Sequence, residues 1–115
     1  GGKKCSRCGA VINGKGNLCA VCSRYEQEKL HDELVKFLLT EAWSDYENCK
    51  KKLNCDKILY DSVKNHLRQH YYAKVADETA SSSEKMLAVI FKTGKTPDLI
   101  DDKTYQNVLN NLRGK

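Results

Sequence analysis

The chain has 115 residues, 30% charged and 40% hydrophobic, with a net charge of +5, which suits one domain or a very small module joined to a helical one. No apolar run approaches the ~20 residues that cross a bilayer, and no basic-then-apolar segment opens the chain, so neither a membrane span nor a secretory leader is expected. Gly1 and Gly2 stand where an initiator Met is usual and are expected to be an appended or processed end, outside the fold.

Residues 3–22 read KKCSRCGAVINGKGNLCAVC, two C-x-x-C pairs ten residues apart. Ala10 to Ile12 can extend, Asn13-Gly14 is a hairpin turn and Gly16 permits the return. The expectation is a short β-hairpin with one cysteine pair before it and one after it. A secreted chain of this size could use its six cysteines as three disulfides, whereas an intracellular one more often places thiolates on metal. The paired spacing and the missing leader favour zinc on Cys5, Cys8, Cys19 and Cys22, with disulfides or redox chemistry as alternatives. A reducing compartment follows, hence an intracellular protein, cytoplasmic or nuclear. Four thiolates close a tetrahedron at about 2.3 Å from the ion and leave no open position, so the zinc is a staple and no enzyme is expected. Gly9, directly after Cys8, permits the tight turn such a loop needs. So short a segment cannot bury a core of its own, and metal binding would supply its folding energy.

This segment resembles the zinc-ribbon proteins, whose metal-binding turns read C-P-x-C-G or close to it; here they read Cys5-Ser6-Arg7-Cys8-Gly9 and Cys19-Ala20-Val21-Cys22, without the proline. The resemblance covers about a fifth of the chain. It implies a structural zinc and a ribbon that binds nucleic acid or another protein.

From Arg24 to about Trp43 the pattern turns helical, with Leu30, Leu34, Phe37 and Leu38 on one face and Glu26, Glu28, Asp32, Glu33 and Glu41 on the others. A second helix is expected from Ser44 or Asp45 to Leu53, a turn over Asn54 to Asp56 with Asp56 as cap, and a third helix from Lys57 to Val75. Ser81 and Glu84 form a capping box before a fourth helix whose apolar stripe is Met86, Leu87, Ile90 and Phe91. Gly94 to Pro97 ends it. A fifth helix over 101–112 places Tyr105, Val108, Leu109 and Leu112 on one face. The fold class is mainly α: a zinc ribbon over 3–24, then a five-helix body over 25–115 with a candidate helix-turn-helix or zinc-finger-like unit at 44–75.

Within that unit Cys49, Cys55, His66 and His70 have the spacing C-x5-C-x10-H-x3-H. Residues 63–70 resemble the helix of a zinc finger with two Cys and two His ligands, keeping the apolar Val63 and the H-x3-H interval. The Cys-to-Cys gap is longer than in such fingers and no hairpin is evident. Three readings stay open: a second zinc on these four, a Cys49–Cys55 disulfide, or packing, in which the cysteines act as buried small hydrophobes and the histidines as satisfied core residues. Packing is preferred. On a helical wheel Lys57, Tyr60, Lys64, Arg68 and Tyr71 fall on one side of the third helix, and Leu59, Val63, His66, Leu67 and His70 on roughly the opposite side. The first side is the expected nucleic-acid face.

Charge is distributed in blocks: residues 1–25 carry +5, 26–48 carry −5, 49–76 carry +5, and the rest balances. Two basic modules separated by an acidic helix suit a nucleic-acid binder, although solvated patches of either sign also occur without one. The order of ribbon, acidic helix and helix-turn-helix resembles small regulators encoded in bacterial flagellar operons, and no functional residue is carried over from them. The leading expectation is a zinc-dependent nucleic-acid-binding regulator of transcription, with DNA as partner. The alternative is an interaction adaptor that docks on a larger protein assembly through the ribbon and the acidic helix at 24–43. Gly94-Lys95-Thr96 lacks the upstream glycine of a phosphate loop, because position 89 is Val. His31 is expected to be exposed and Trp43 to anchor the core.

Overall fold

The computed structural model of the chain describes residues 3–14 and 16–114. The expectations that involve Gly1, Gly2 and the charge of Lys15 lie outside them. Two two-residue strands open the fold, β1 (Lys3–Lys4) and β2 (Val11–Ile12), paired antiparallel with Lys3 opposite Ile12 and Lys4 opposite Val11. Five α-helices follow: α1 (Ala20–Thr40), α2 (Tyr46–Leu53), α3 (Lys57–Ala76), α4 (Ser82–Thr93) and α5 (Asp102–Leu112), with a short 3₁₀ turn over Pro97–Leu99.

The hairpin is therefore real but displaced. Its strands bracket the first cysteine pair, and Asn13-Gly14 lies in a loop beyond it. The reason is local. Cys5 N–H donates to Ala10 O (2.7 Å) and Gly9 N–H to Cys5 O (2.9 Å), so the Cys5–Gly9 knuckle itself reverses the chain. Gly9 meets the demand at φ +81°.

Helix ends follow the residues at hand. Asp45, Asp56 and Asp101 each accept the N–H three residues on, from Asn48, Leu59 and Thr104. Ser81 and Glu84 exchange both bonds of a capping box at α4. Asn54 ends α2 in the left-handed region and Gly94 ends α4 there. Helix α1 begins at Ala20 rather than Arg24, because the Cys19 sulfur accepts Cys22 N–H and caps it. No break falls at residues 24–25, and the helix carries the second cysteine pair directly into the body.

Among the described residues three apolar clusters result, the two in the body linked through Tyr71, Tyr72 and Ile100. Leu34 and Leu38 of α1, both fully buried, meet Tyr60, Val63 and Leu67 of α3 and Ile90 and Phe91 of α4, with Trp43 packed alongside. Val75, Ala88, Val89 and Leu109 join α3, α4 and α5. The third is small: Cys5, Ile12 and Cys22, with Leu18 and Cys19 against them. Between the ribbon and the body, residues 24–29 of α1 are all exposed, a bare helical stalk of about 9 Å. The dimensions agree, at 65 × 27 × 18 Å and a radius of gyration of 18.7 Å, where a compact chain of this length has about 13 Å. Among the described residues no helix is long and apolar enough to cross a membrane.

Candidate functional site

The two C-x-x-C segments are built alike and face each other. In each, the first sulfur accepts a backbone N–H from the second cysteine: Cys8 N to Cys5 Sγ at 3.5 Å and Cys22 N to Cys19 Sγ at 3.4 Å. One knuckle is the hairpin tip, the other the first turn of α1. Ser6 N–H donates to Asn17 O (2.8 Å) and ties the first knuckle to the loop that leads into the second. All four sulfurs lie within 4.8 Å of one another, and Cys8 Sγ is 3.7 Å from Cys19 Sγ. A tetrahedron with 2.3 Å metal–sulfur bonds has edges of about 3.8 Å, whereas a disulfide would need about 2.05 Å. None of the six cysteines is joined to another in a disulfide.

The electrostatics fit a cation. Backbone N–H groups of Cys19 and then Cys8 pull the Cys5 thiol down to about 6, and that of Cys22 lowers Cys19. Cys22 goes the other way, pushed up to about 12 by burial and then by its neighbouring thiols. Four such groups at this spacing cannot all ionise without a positive charge among them, and they stand close enough together to hold a metal ion. The donor set and geometry are those of a closed four-thiolate centre.

The second constellation does not assemble. Cys49 and Cys55 are buried in the main core, while His66 and His70 are exposed on α3. Among the described residues the only group of three or more ligand side chains is Cys5, Cys8, Cys19 and Cys22. Burial raises both inner thiols, Cys49 to about 11, so they behave as small apolar groups. The histidines are not core residues either; His70 sets its ring edge-on against Tyr71. The buried stripe of α3 is Tyr60, Val63, Leu67 and Val75, so Val63 and Leu67 face inward as expected, Tyr60 joins them from the expected cationic side, and His66 and His70 drop out to the surface. Packing by α1 and α4 decided which side faced inward.

The proposed nucleic-acid face is consequently divided. Tyr60 is 5% exposed, and its hydroxyl donates to Ser44 O (2.9 Å), so its ring is closed to a base. Tyr71 is half-buried and stacked on Phe91. Lys57 pairs with Asp61 at 3.3 Å. Lys64 and Arg68 form no ion pair among the described residues, and they line an open groove of about 510 Å³ with Tyr60, Asp61, Ser62 and Asn65. Lys64 donates to the Tyr60 hydroxyl at 2.8 Å, and burial followed by the Arg68 charge lowers its pKa. Lys50 of α2 and Lys57 lie 5.9 and 5.5 Å from the Tyr46 ring, itself 5.7 Å from Tyr60. Cations from two helices thus gather round an aromatic pair of half-buried Tyr46 and buried Tyr60.

No family model, curated protein or solved structure matches the chain. Its chemistry rests on its own residues. Ser62 and Asn65 escaped the sequence reading, which took only cationic and aromatic residues from that side of α3. Arg7 also escaped it. Its guanidinium stacks on Tyr25, with Cζ 3.8 Å from the ring centroid, and pairs with Glu26 at 3.4 Å. His31 is exposed and Trp43 half-buried against the core, as expected.

Proposed function

We propose that the protein is a zinc-stapled nucleic-acid-binding module, with regulation of transcription as its role. The supporting observation is the groove on α3 in which Lys64 and Arg68 hold positive charge with no carboxylate paired to either, flanked by Ser62 and Asn65 as hydrogen-bonding groups. Phosphate oxygens suit the two cations, and hydroxyl and amide side chains suit sugar or base edges. Lys50 and the exposed Lys51 on neighbouring α2 extend the positive surface. Helix α2, the turn over residues 54–56 and α3 have the connectivity of a helix-turn-helix, and α3 would be the reading helix. The ribbon adds Lys3 and Lys4 on exposed β1 as a second contact. Zinc, bound by four thiolates, serves folding and not chemistry.

Anisotropy of labelled duplex DNA and of single-stranded RNA tests this. With Lys50, Lys64 and Arg68 on phosphates, affinity for duplex falls roughly 40-fold between 50 and 200 mM salt. Charge reversal, Lys64→Glu with Arg68→Glu, abolishes binding and leaves zinc content unchanged. No binding to either nucleic acid at low salt would eliminate the proposal.

A protein-interaction role has one observation in its favour. On α1, Val21 is 77% exposed and Tyr25 is exposed, beside solvent-facing Glu26, Glu28, Asp32 and Glu33. An adaptor using that surface would retain its function in the charge-reversed variant.

A further inference from the structure

We propose that Tyr60 is a positioning residue for the groove on α3: its buried hydroxyl takes one N–H of the Lys64 ammonium and so fixes that cation where a nucleic-acid phosphate arrives. This role rests on the nucleic-acid reading of the groove and goes beyond it, because Tyr60, only 5% exposed, acts through Lys64 and not on the ligand.

A phenol has one proton to give and lone pairs with which to accept. Tyr60 gives its proton to Ser44 O at 2.9 Å, which leaves its oxygen to accept, and Lys64 Nζ donates to that oxygen at 2.8 Å. Ser44 is held in turn. Its N–H donates to Glu41 O (3.0 Å), and its hydroxyl oxygen accepts from Asn48 Nδ2 at 2.8 Å. Tyr60 and Ser44 are both buried, so water does not compete for these bonds. The chain of bonds runs from the end of α1, past the start of α2, to α3. Lys64 has three N–H groups and spends one on Tyr60, so two remain for an anion in the groove it lines with Arg68. A lysine that waves in solvent must give up its rotamer freedom to hold a phosphate, whereas Lys64 has given up much of it before the ligand comes. Lys57 on the same helix differs, since the Asp61 carboxylate takes its charge at 3.3 Å.

A double-mutant cycle, read by anisotropy of a labelled DNA duplex at low salt, tests the role. Tyr60→Phe keeps the ring in the core and removes the hydroxyl. With Lys64 present it is expected to weaken binding roughly five- to tenfold, and in a Lys64→Gln background less than about twofold, because members of one hydrogen-bond network are coupled. An equal cost in both backgrounds marks a merely structural tyrosine and overturns the assignment, as does no cost in either. The ammonium itself gives a second readout. In ¹H–¹⁵N spectra of the wild type, Lys64 Nζ should give a signal protected from exchange with water, and Tyr60→Phe should abolish it. Should Tyr60→Phe fail to fold, the wild-type spectrum decides: a Lys64 signal protected before duplex is added and shifted by it upholds the role, and an unprotected or unshifted one overturns it. A wild type that binds no duplex removes the reading of α3 as a duplex-binding helix and this role together, whereas a wild type that binds, with equal costs in the cycle, removes only the role of Tyr60.

Discussion

The ribbon and the helical body solve the same folding problem by different means. The body buries Leu34, Leu38, Val75 and Val89 almost completely, and each large side chain so buried contributes about 1.5–3 kcal/mol. The ribbon buries Ile12 and little else besides two of its own cysteines. An apolar cluster of that size cannot offset the ordering of some twenty residues at ~1–2 kcal/mol each, which is why we propose that a metal held by its sulfurs supplies the rest. The exposed stalk at residues 24–29 separates the two, with no shared cluster across it. One helix, α1, thus carries the second cysteine pair at its start and the core residues Leu34 and Leu38 further along.

The sharpest way to break the comparison is to deprive the four sulfurs of the metal we propose they hold. Chelation, or Cys5→Ser, is expected to abolish ribbon order in backbone NMR spectra while most helical ellipticity remains; cooperative loss of the whole fold would show that the units are not independent. Acid does the same by protonating the thiolates, so metal release on lowering the pH should precede unfolding of the helices.

Next in size are changes to the body. Leu34→Ala and Leu38→Ala are each expected to cost about 2–5 kcal/mol in urea denaturation, with metal content unaltered. Loss of metal in these variants would reveal coupling through α1. A smaller effect is expected at the cap of α4, where Ser81→Ala removes a capping bond for about 1 kcal/mol.

The smallest is a pH effect at the same turn. Lys74, followed by the Ser81 backbone N–H, holds the Glu84 carboxyl at about 2, below its ordinary 4.5. A depressed carboxylate stabilises the fold above its unfolded pKa and loses that contribution as the pH falls from about 4.5 towards 2. Glu84→Gln should flatten the stability profile of the body in that window without touching the ribbon. His66→Ala and His70→Ala complete the series, each within about 0.5 kcal/mol because both side chains face solvent. Metal content would stay unchanged, and a drop would restore a second site.

What could be read in one dimension was local. The cysteine spacing, the aspartates at 45, 56 and 101, the Ser81–Glu84 pair and the glycine at 94 act within a few residues of themselves, so helix order, most helix boundaries and the four-sulfur cluster were legible. The start of α1 was missed because a sulfur, an unusual cap, begins it. The hairpin was displaced because knuckle hydrogen bonds outweighed an Asn-Gly turn.

Tertiary structure alone decided which side of α3 faces inward. Its two sides both carry apolar and polar residues, and the contest was settled by Leu34, Leu38, Ile90 and Phe91 arriving from α1 and α4. That choice buried Tyr60, exposed His66 and His70, and left Lys64 and Arg68 at the margin of the core. Side-chain packing also set Lys50 near the Tyr46 ring and, separately in the ribbon, Arg7 over Tyr25. Caps and metal knuckles are short-range and therefore encoded in sequence order, whereas the partner of a helix face is another helix far along the chain, and only packing selects it.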